Sequence, residues 1–316
     1  MKKELLKLAK LATHESNAPL IDGVQKLIDK TAKAHRAKNR AIVAQLSGKA
    51  ALTEKQRKTL ATATAQLSPN HRFHNGAWWV EGQKMLAFLE DGVPRFTVFA
   101  EGNSKLPFYA FSALPVITCP GFGACGDWCY SFKAWRYPAA FYRQLQNTVL
   151  ILRGKDTLAA MFQKLPANVD FRLYVDGDFD SLETMRFWFN QLDLRPDVRA
   201  YGYSKSWPLF LSYAATDNFP ANYKLNLSGG SRYGQQYLAA MEKLDCVRGQ
   251  FAAFPVQTKQ RKDAKQYAVE VRQAARDAGH KKVFVCPGKC GDCVRGGGHA
   301  CGSDKFDGVT VAIGIH

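Results

Sequence analysis

Three cysteines, Cys119, Cys125 and Cys129, lie within eleven positions on a stretch that also holds Pro120, Gly121, Gly123 and Gly126. Thiolates are soft ligands, and three on one tight loop hold three irons of a [4Fe–4S] cube while leaving the fourth open to a substrate. Completed by a histidine or a distant cysteine, the same residues make a zinc site. A second group, Cys286, Cys290, Cys293 and Cys301, is spaced C-x3-C-x2-C-x7-C. Four thiolates fit a closed site, again either [4Fe–4S] or zinc. Here His299 reads as a substitute ligand for Cys301 or as a solvated loop histidine. Cys246 stands alone and reads as a core thiol.

The compartment follows from the same residues. Eight cysteines at tight spacing point to metal rather than disulfides in a reducing cytoplasm. The first residues, Met1 to Leu6, are too charged for a signal peptide, and no apolar run reaches the length of a membrane span. A cytoplasmic protein without a membrane segment is expected.

Other chemistry-bearing residues lie between the cysteine groups. Asp176 and Asp178 flank Gly177 straight after a strand-like run. They read as a cation site, an acid/base pair or a ribose-binding pair. Alternatively, Asp178 or Asp180 caps a helix over residues 181–192. Lys205 contacts an anion or is simply exposed. Ser228, Gly229, Gly230 and Ser231 resemble a backbone nest for phosphate or carboxylate. No Walker, H-E-x-x-H or G-x-S-x-G motif is present.

These residues need elements to position them. Apolar runs at 108–117, 171–175, 198–203, 224–227, 249–256, 283–285 and 309–315 read as strands. Helical patterns at 138–152, 182–192, 208–215, 234–244 and 263–278 fall between most of them. Such alternation demands parallel strands with crossover helices, and its extent predicts an α/β fold with a partial or full (β/α) barrel over residues 105–316. Every polar or cysteine-bearing segment named above follows a strand, where barrels carry their chemistry. Residues 76–104 read as a small antiparallel β segment, with Trp78, Trp79 and Val80 and then residues 85–89 flanking a turn at Glu81, Gly82 and Gln83. Residues 96–99 read as a further strand.

Residues 1–75 read as a basic helical appendage. It carries fifteen Lys and Arg against five acids, a net +10 of the chain's +17. One long helix is expected over residues 26–43, and another from Thr53, which reads as its N-cap. Such a charge excess favours polyanions, with nucleic acid, DNA or RNA, first among them. Lys33, Arg36, Lys38 and Arg40 are the expected phosphate contacts, a solvated helix face being the plain alternative.

Gly102, Asn103, Ser104, Lys105 and Leu106, then Phe111, Ser112, Thr118, Cys119, Cys125, Cys129 and Tyr130, resemble an uncharacterised phage and plasmid cysteine-rich protein family. Tyr137, Asn147, the Phe171 to Asp178 strand and the 203–206 run share the resemblance, which covers roughly residues 100–300. That family is in turn distantly similar to radical S-adenosylmethionine (SAM) iron–sulfur enzymes, whose loops place an aromatic where Trp128 stands. The resemblance implies a (β/α)6 partial barrel, a reactive [4Fe–4S] cluster on Cys119, Cys125 and Cys129, and an auxiliary cluster on the later four cysteines. It also implies a SAM-holding role for Asp178 and for Ser228 to Ser231. The chain departs from the usual C-x3-C-x2-C spacing at its first loop, and the Gly-Gly-Glu motif after the second strand is missing. Two functions follow: a metal protein of a mobile element that binds nucleic acid, or a radical-SAM-type enzyme whose catalytic residues include Asp176, Asp178 and Lys205.

Overall fold

The computed structural model describes residues 2–68, 76–102, 106–123, 125–293 and 299–315. The helix expected to end at Ser68 to His71 stops at Leu67, with Ser68 as its C-cap. Residues 69–71, the family-like Asn103, Ser104 and Lys105, and the Trp128 side chain lie outside what is described, as do the boundaries expected at 75/76 and 104/105. Among the described residues the chain runs α1 (Lys2–Leu11), α2 (Ala18–Ser47), α3 (Glu54–Leu67), α4 (Ala77–Asp91), β1 (Tyr109–Ala110), α5 (Cys125–Trp128), α6 (Ser131–Ala134), α7 (Pro138–Arg153) and α8 (Lys155–Phe162). It continues β2 (Asp170–Leu173), α9 (Leu182–Asp193), β3 (Arg199–Ser204), α10 (Trp207–Ala214), β4 (Tyr223–Ser228), α11 (Gln235–Met241), β5 (Val247–Pro255), α12 (Ala264–Asp277), β6 (Val283–Val285) and β7 (Thr310–Ile315). Two compact units result: Met1–Thr97 with Phe132–Val149, and Val98–Ser131 with Leu150–His316.

The first unit is helical. The basic helix expected from residue 26 is α2, and it begins earlier, with Pro19 in its first turn where no backbone donor is needed. Thr53 caps α3 as expected. Its Oγ1 accepts from Gln56 N (3.3 Å), while Gln56 Oε1 accepts from Thr53 N (3.0 Å), a reciprocal capping box.

Among the described residues of 76–104, the antiparallel β segment comes down to one isolated bridge, Ala100 with Ala110. Residues 77–91 form α4, and its inward face (Gly82, Met85, Leu86, Leu89) has helical, not alternating, spacing. Gly82 marks a close helix crossing rather than a turn: a Cβ there would stand 2.5 Å from Ile28 Cγ1 of α2. The strand expected at residues 96–99 is absent too. Buried Gln146 of α7 takes over the hydrogen bonds a sheet would make, accepting from Arg95 N (2.7 Å) and Phe96 N (2.9 Å) and donating to Phe96 O (3.0 Å). Replacing Gly82 with alanine gains about 1 kcal/mol of helix propensity and loses about 1–3 kcal/mol to overpacking against Ile28. A net fall in thermal midpoint is expected, and a rise would refute the crossing role.

The second unit is built on one seven-stranded sheet, all parallel among the described residues, in the order β1-β2-β3-β4-β5-β7-β6. Its end strands β1 and β6 do not pair with each other among the described residues. The expected strands from 171 onward are present within a few residues. The run at 108–117 is the exception: only Tyr109–Ala110 is strand. The chain stays beside β2 through Phe111 N to Arg172 O (3.1 Å) and Ala113 N to Asp176 O (2.9 Å), then turns away with Val116 in the left-handed region (φ 71°).

Alternation divides the sheet into two faces. Phe171, Leu173, Tyr223 and Leu225 share the face covered by helices, where Phe171, Trp188, Phe162 and Phe99 pack edge-on and Tyr223 meets Phe189 at 5.0 Å. Arg172, Tyr201, Tyr203, Asn226 and Phe251 occupy the other face. The β6–β7 connection, which bears the second cysteine group, packs on this second face.

Helix α12 is tied to the end of β5 by Glu270, whose carboxylate accepts from Gln257 N and Thr258 N (both 2.9 Å) and from Thr258 Oγ1 (2.5 Å). These bonds, the Thr258 hydroxyl first, lower its pKa from 4.5 to about 2. A depressed carboxylate stabilises the fold above its unfolded pKa, and that contribution is lost as pH falls toward the folded value. Glu270→Gln is therefore expected to lower the thermal midpoint at pH 7, with the gap to wild type closing as pH falls below 4.5. A gap that stays constant down to pH 3 would remove the carboxylate from the account.

Candidate metal centre

The first cysteine loop leaves the end of β1 and seats itself on the ends of β3 and β4. Phe122 bridges Ser231, Arg232 N donates to Gly121 O (3.2 Å), and Ser231 Oγ donates to Lys205 O (3.2 Å). Gly121 lies so close to the backbone that a Cβ on it would fall 1.8 Å from Lys205 O. Cys119 is held by its N–H on Val116 O (3.3 Å), and Phe122 N closes the loop on Cys119 O (3.1 Å). Burial, and then the nearby Asp178 carboxylate and Cys129 thiol, push the Cys119 thiol well above its usual range. Cys125 opens the short helix α5, and Cys129 follows it. Tyr130 Oη donates to Val175 O, and Ser131 Oγ to Asp176 Oδ1. Nothing in the sequence pattern marked Tyr130 and Ser131 as anchors, although the two directly follow Cys129.

Asp176 thus receives a hydroxyl from the first loop. Asp178 is buried, accepting from Lys205 N (2.8 Å) and Phe179 N (2.8 Å), while its own N–H donates to Thr118 Oγ1 (3.3 Å). Burial raises its pKa against these hydrogen bonds, which pull it down. Neither Asp178 nor Asp180 caps the following helix. Ser181 does, its Oγ accepting from Thr184 N (3.1 Å). Lys205, half-buried, donates from Nζ to Ser228 Oγ (2.9 Å). In the Ser228, Gly229, Gly230 and Ser231 turn, Gly229 N donates to Phe251 O (2.7 Å), and Tyr233 N, two residues beyond the turn, donates to Ser231 Oγ (3.3 Å).

The second group lies against the polar–aromatic face of the sheet. Cys286 extends β6 by one bond, N to Ala312 O (2.8 Å), and its Sγ accepts from Gly288 N (3.4 Å). Cys290 and Cys293 bound a single 3-10 turn, in which Cys293 Sγ donates to Cys290 O (3.2 Å). Cys301 is buried, and Asn226 Nδ2 holds its carbonyl (2.8 Å). All four cysteines belong to one packed cluster with Phe108, Tyr201, Tyr203, Phe251 and Val311. Burial raises the thiols of Cys286 and Cys290, and pushes that of Cys301 up to about 12. His299 is not a solvated loop residue: it is buried between the rings of Tyr201 (4.3 Å) and Phe108 (4.7 Å).

The donor set suits a thiolate-held metal. Tyr201 is 1% exposed, and its hydroxyl finds no oxygen or nitrogen partner among the described residues; the group it lies against is the Cys290 thiol. A buried donor beside sulfur suits a thiolate acceptor there. The thiols are neighbours without converging: among the described residues, no three Cys, His, Asp or Glu side chains take up a metal-holding arrangement.

A family model described as gene product 88 matches residues 86–306. The chain belongs to the gene product 88 family, a phage-type family. The matched span takes in both cysteine groups and β1 to β6, while the gene product 88 match leaves α1, α2 and α3 outside. No curated protein and no solved structure matches the chain.

The basic residues singled out in α2 fall on two sides. Lys33, Arg36 and Arg40, spaced three and four apart, share one face; Lys33 and Arg40 are exposed, Arg36 half-buried. Lys38 lies on another side, lining a groove of about 610 Å³ with His35, Asn39, Lys55, Lys58 and Thr62. Among the described residues no helix is long and apolar enough to cross a membrane.

Proposed function

We propose that this gene product 88 chain is an iron–sulfur protein of a phage-type element that binds nucleic acid through its basic N-terminal helices. One observation carries the metal reading: Cys286, Cys290, Cys293 and Cys301 pack in one cluster with Tyr201, whose buried hydroxyl lies beside the Cys290 thiol. These four thiolates would hold a [4Fe–4S] cluster, which supplies one-electron transfer or a covalent staple for the β6–β7 connection. The chain's own contribution is to bury the site under Phe108 and Phe251 and to offer it the Gly288 amide and Tyr201 hydroxyl as donors. Reduced cysteines and such a site suit a cytoplasmic protein. Anaerobic purification followed by visible absorption with iron, sulfide and zinc content tests this. A brown protein supports it; a colourless one carrying zinc replaces the cluster with a zinc staple.

The nucleic-acid reading rests on the charge of the first quarter. Neutralised phosphates release counterions, so the affinity falls with salt by close to one logarithmic unit per contact, about 0.9 for duplex DNA. Replacing Lys33, Arg36 and Arg40 together by glutamine is expected to flatten that salt dependence by about three contacts. An unchanged slope in a titration of the full chain would exclude this face.

A second reading, a radical-SAM-type enzyme, is favoured by the seating of the Cys119 loop after β1 on the strand ends where Asp178, Lys205 and Ser228 gather. In it the sheet is a partial (β/α) barrel, Cys119, Cys125 and Cys129 hold an open cluster, and Asp178 with Ser228 to Ser231 faces SAM. Adding SAM to the brown protein discriminates: a perturbed spectrum supports the enzyme, an indifferent one removes it.

A further inference from the structure

Two guanidinium groups lie against the four-cysteine group, and neither forms an ion pair with a carboxylate among the described residues. Arg248 is fully buried. It donates from Nε to Asn226 Oδ1 (2.7 Å) and from Nη1 to Phe306 O (2.6 Å) and Val309 O (3.0 Å), all neutral acceptors. Arg172 leaves β2 on the same face of the sheet, with its guanidinium 4.6 Å from the Tyr203 ring centroid. Its Nε is buried without a hydrogen-bond partner among the described residues. The carboxylate two residues earlier, Asp170, is taken by Arg199 (2.8 Å).

A buried cation costs several kcal/mol unless an anion answers it. The groups within electrostatic reach are largely thiols and phenols. Arg172 faces Cys290, Tyr130, Tyr201 and Tyr203; Arg248 faces Cys301 and Tyr203, with Asp307 acting on it without an ion pair. Metal binding displaces the thiol protons and leaves thiolates. Four thiolates around Zn²⁺ or a [4Fe–4S]²⁺ core carry two negative charges in excess of the metal. Two arginines match two charges.

Resting on the metal reading above, we infer that Arg172 and Arg248 are the counter-ions of a dianionic metal tetrathiolate held by Cys286, Cys290, Cys293 and Cys301. The Tyr201 hydroxyl donates to one of its sulfurs. The two cations therefore favour the loaded site and disfavour the metal-free one.

Arg172→Met and Arg172→Lys, with Arg186→Met as a surface control, test this in the full chain. Each is purified anaerobically and titrated with a chelator, and the thermal unfolding of the metal-loaded and metal-stripped forms is compared. The methionine variant is expected to release metal at about 10–100-fold lower chelator concentration, as outer-sphere partners usually show. Lysine, which keeps the charge, is expected to restore most of the affinity. Metal-stripped Arg172→Met is expected to unfold no lower than metal-stripped wild type, because it no longer buries an unanswered cation. A merely structural arginine predicts the opposite: equal destabilisation in both forms and no rescue by lysine. That result, or unchanged chelator sensitivity, would overturn the inference while leaving the metal site standing. A wild-type chain that takes up neither iron–sulfur nor zinc overturns the metal reading and this inference with it.

Discussion

Cys290→Ser is expected to abolish metal binding at the four-cysteine group and to lower the unfolding temperature of the full chain. The reason is that a metal bound only by the folded chain adds its binding free energy to folding, on the order of 10 kcal/mol for structural sites. Serine is a far poorer ligand than thiolate for iron or zinc. Without metal the same substitution would do little, because Cys290 is a partly buried member of an apolar cluster and one sulfur contributes about 1 kcal/mol of burial. The two cases thus differ severalfold in effect. Cys286→Ser and Cys301→Ser should behave alike, and Cys246→Ala should leave metal content untouched, since Cys246 is a lone buried thiol. Metal and sulfide analysis with thermal unfolding reads the outcome. Wild-type metal content in all three serine variants would end the proposal that this group is the site.

The parallel strands and most crossover helices of the second unit were legible because each carries its own period. Strand β2 and helices such as α9 and α12 bury one face each, and the burial appears in the spacing of apolar residues. Where the reading failed, a tertiary partner had replaced a local signal. Gly82 looked like a turn because the glycine's purpose, room for Ile28, lies in another helix. Residues 96–99 looked like a strand, but the backbone of Phe96 bonds to Gln146, some fifty positions away. Helix α8 was missed between two stronger patterns. At the candidate site the cysteines were legible by spacing alone. Arg172, Tyr201 and Arg248 were not, since each is one residue of an ordinary strand. Only the register, which sets Arg172 beside Tyr201 and Tyr203 beside Asn226, gathers them on one face.

Gly121→Ala is expected to unseat the first cysteine loop. A Cβ at this position would lie 1.8 Å from Lys205 O and 2.2 Å from Lys205 C. A flexible side chain could swing aside, but these are backbone atoms at the end of β3, and the adjacent Lys205 N is fixed by buried Asp178. Either the loop lifts, losing Arg232 N to Gly121 O and the Phe122–Ser231 bridge, or the end of β3 shifts and breaks the Asp178 bond. Overpacking of this kind costs about 3 kcal/mol when the structure cannot relax, and lifting the loop is the cheaper escape. Cys119 is the reporter: burial and the Asp178 carboxylate keep its thiol protonated and therefore slow toward alkylating reagents. On metal-stripped protein, mass spectrometry of the Cys119 peptide is expected to show much faster alkylation in Gly121→Ala than in wild type. Gly48→Ala, where a Cβ would meet nothing within 4 Å, supplies the unchanged control. Equal alkylation rates in the two variants would mean that the loop does not depend on this contact, and the seating of Cys119 on the strand ends would have to be given up.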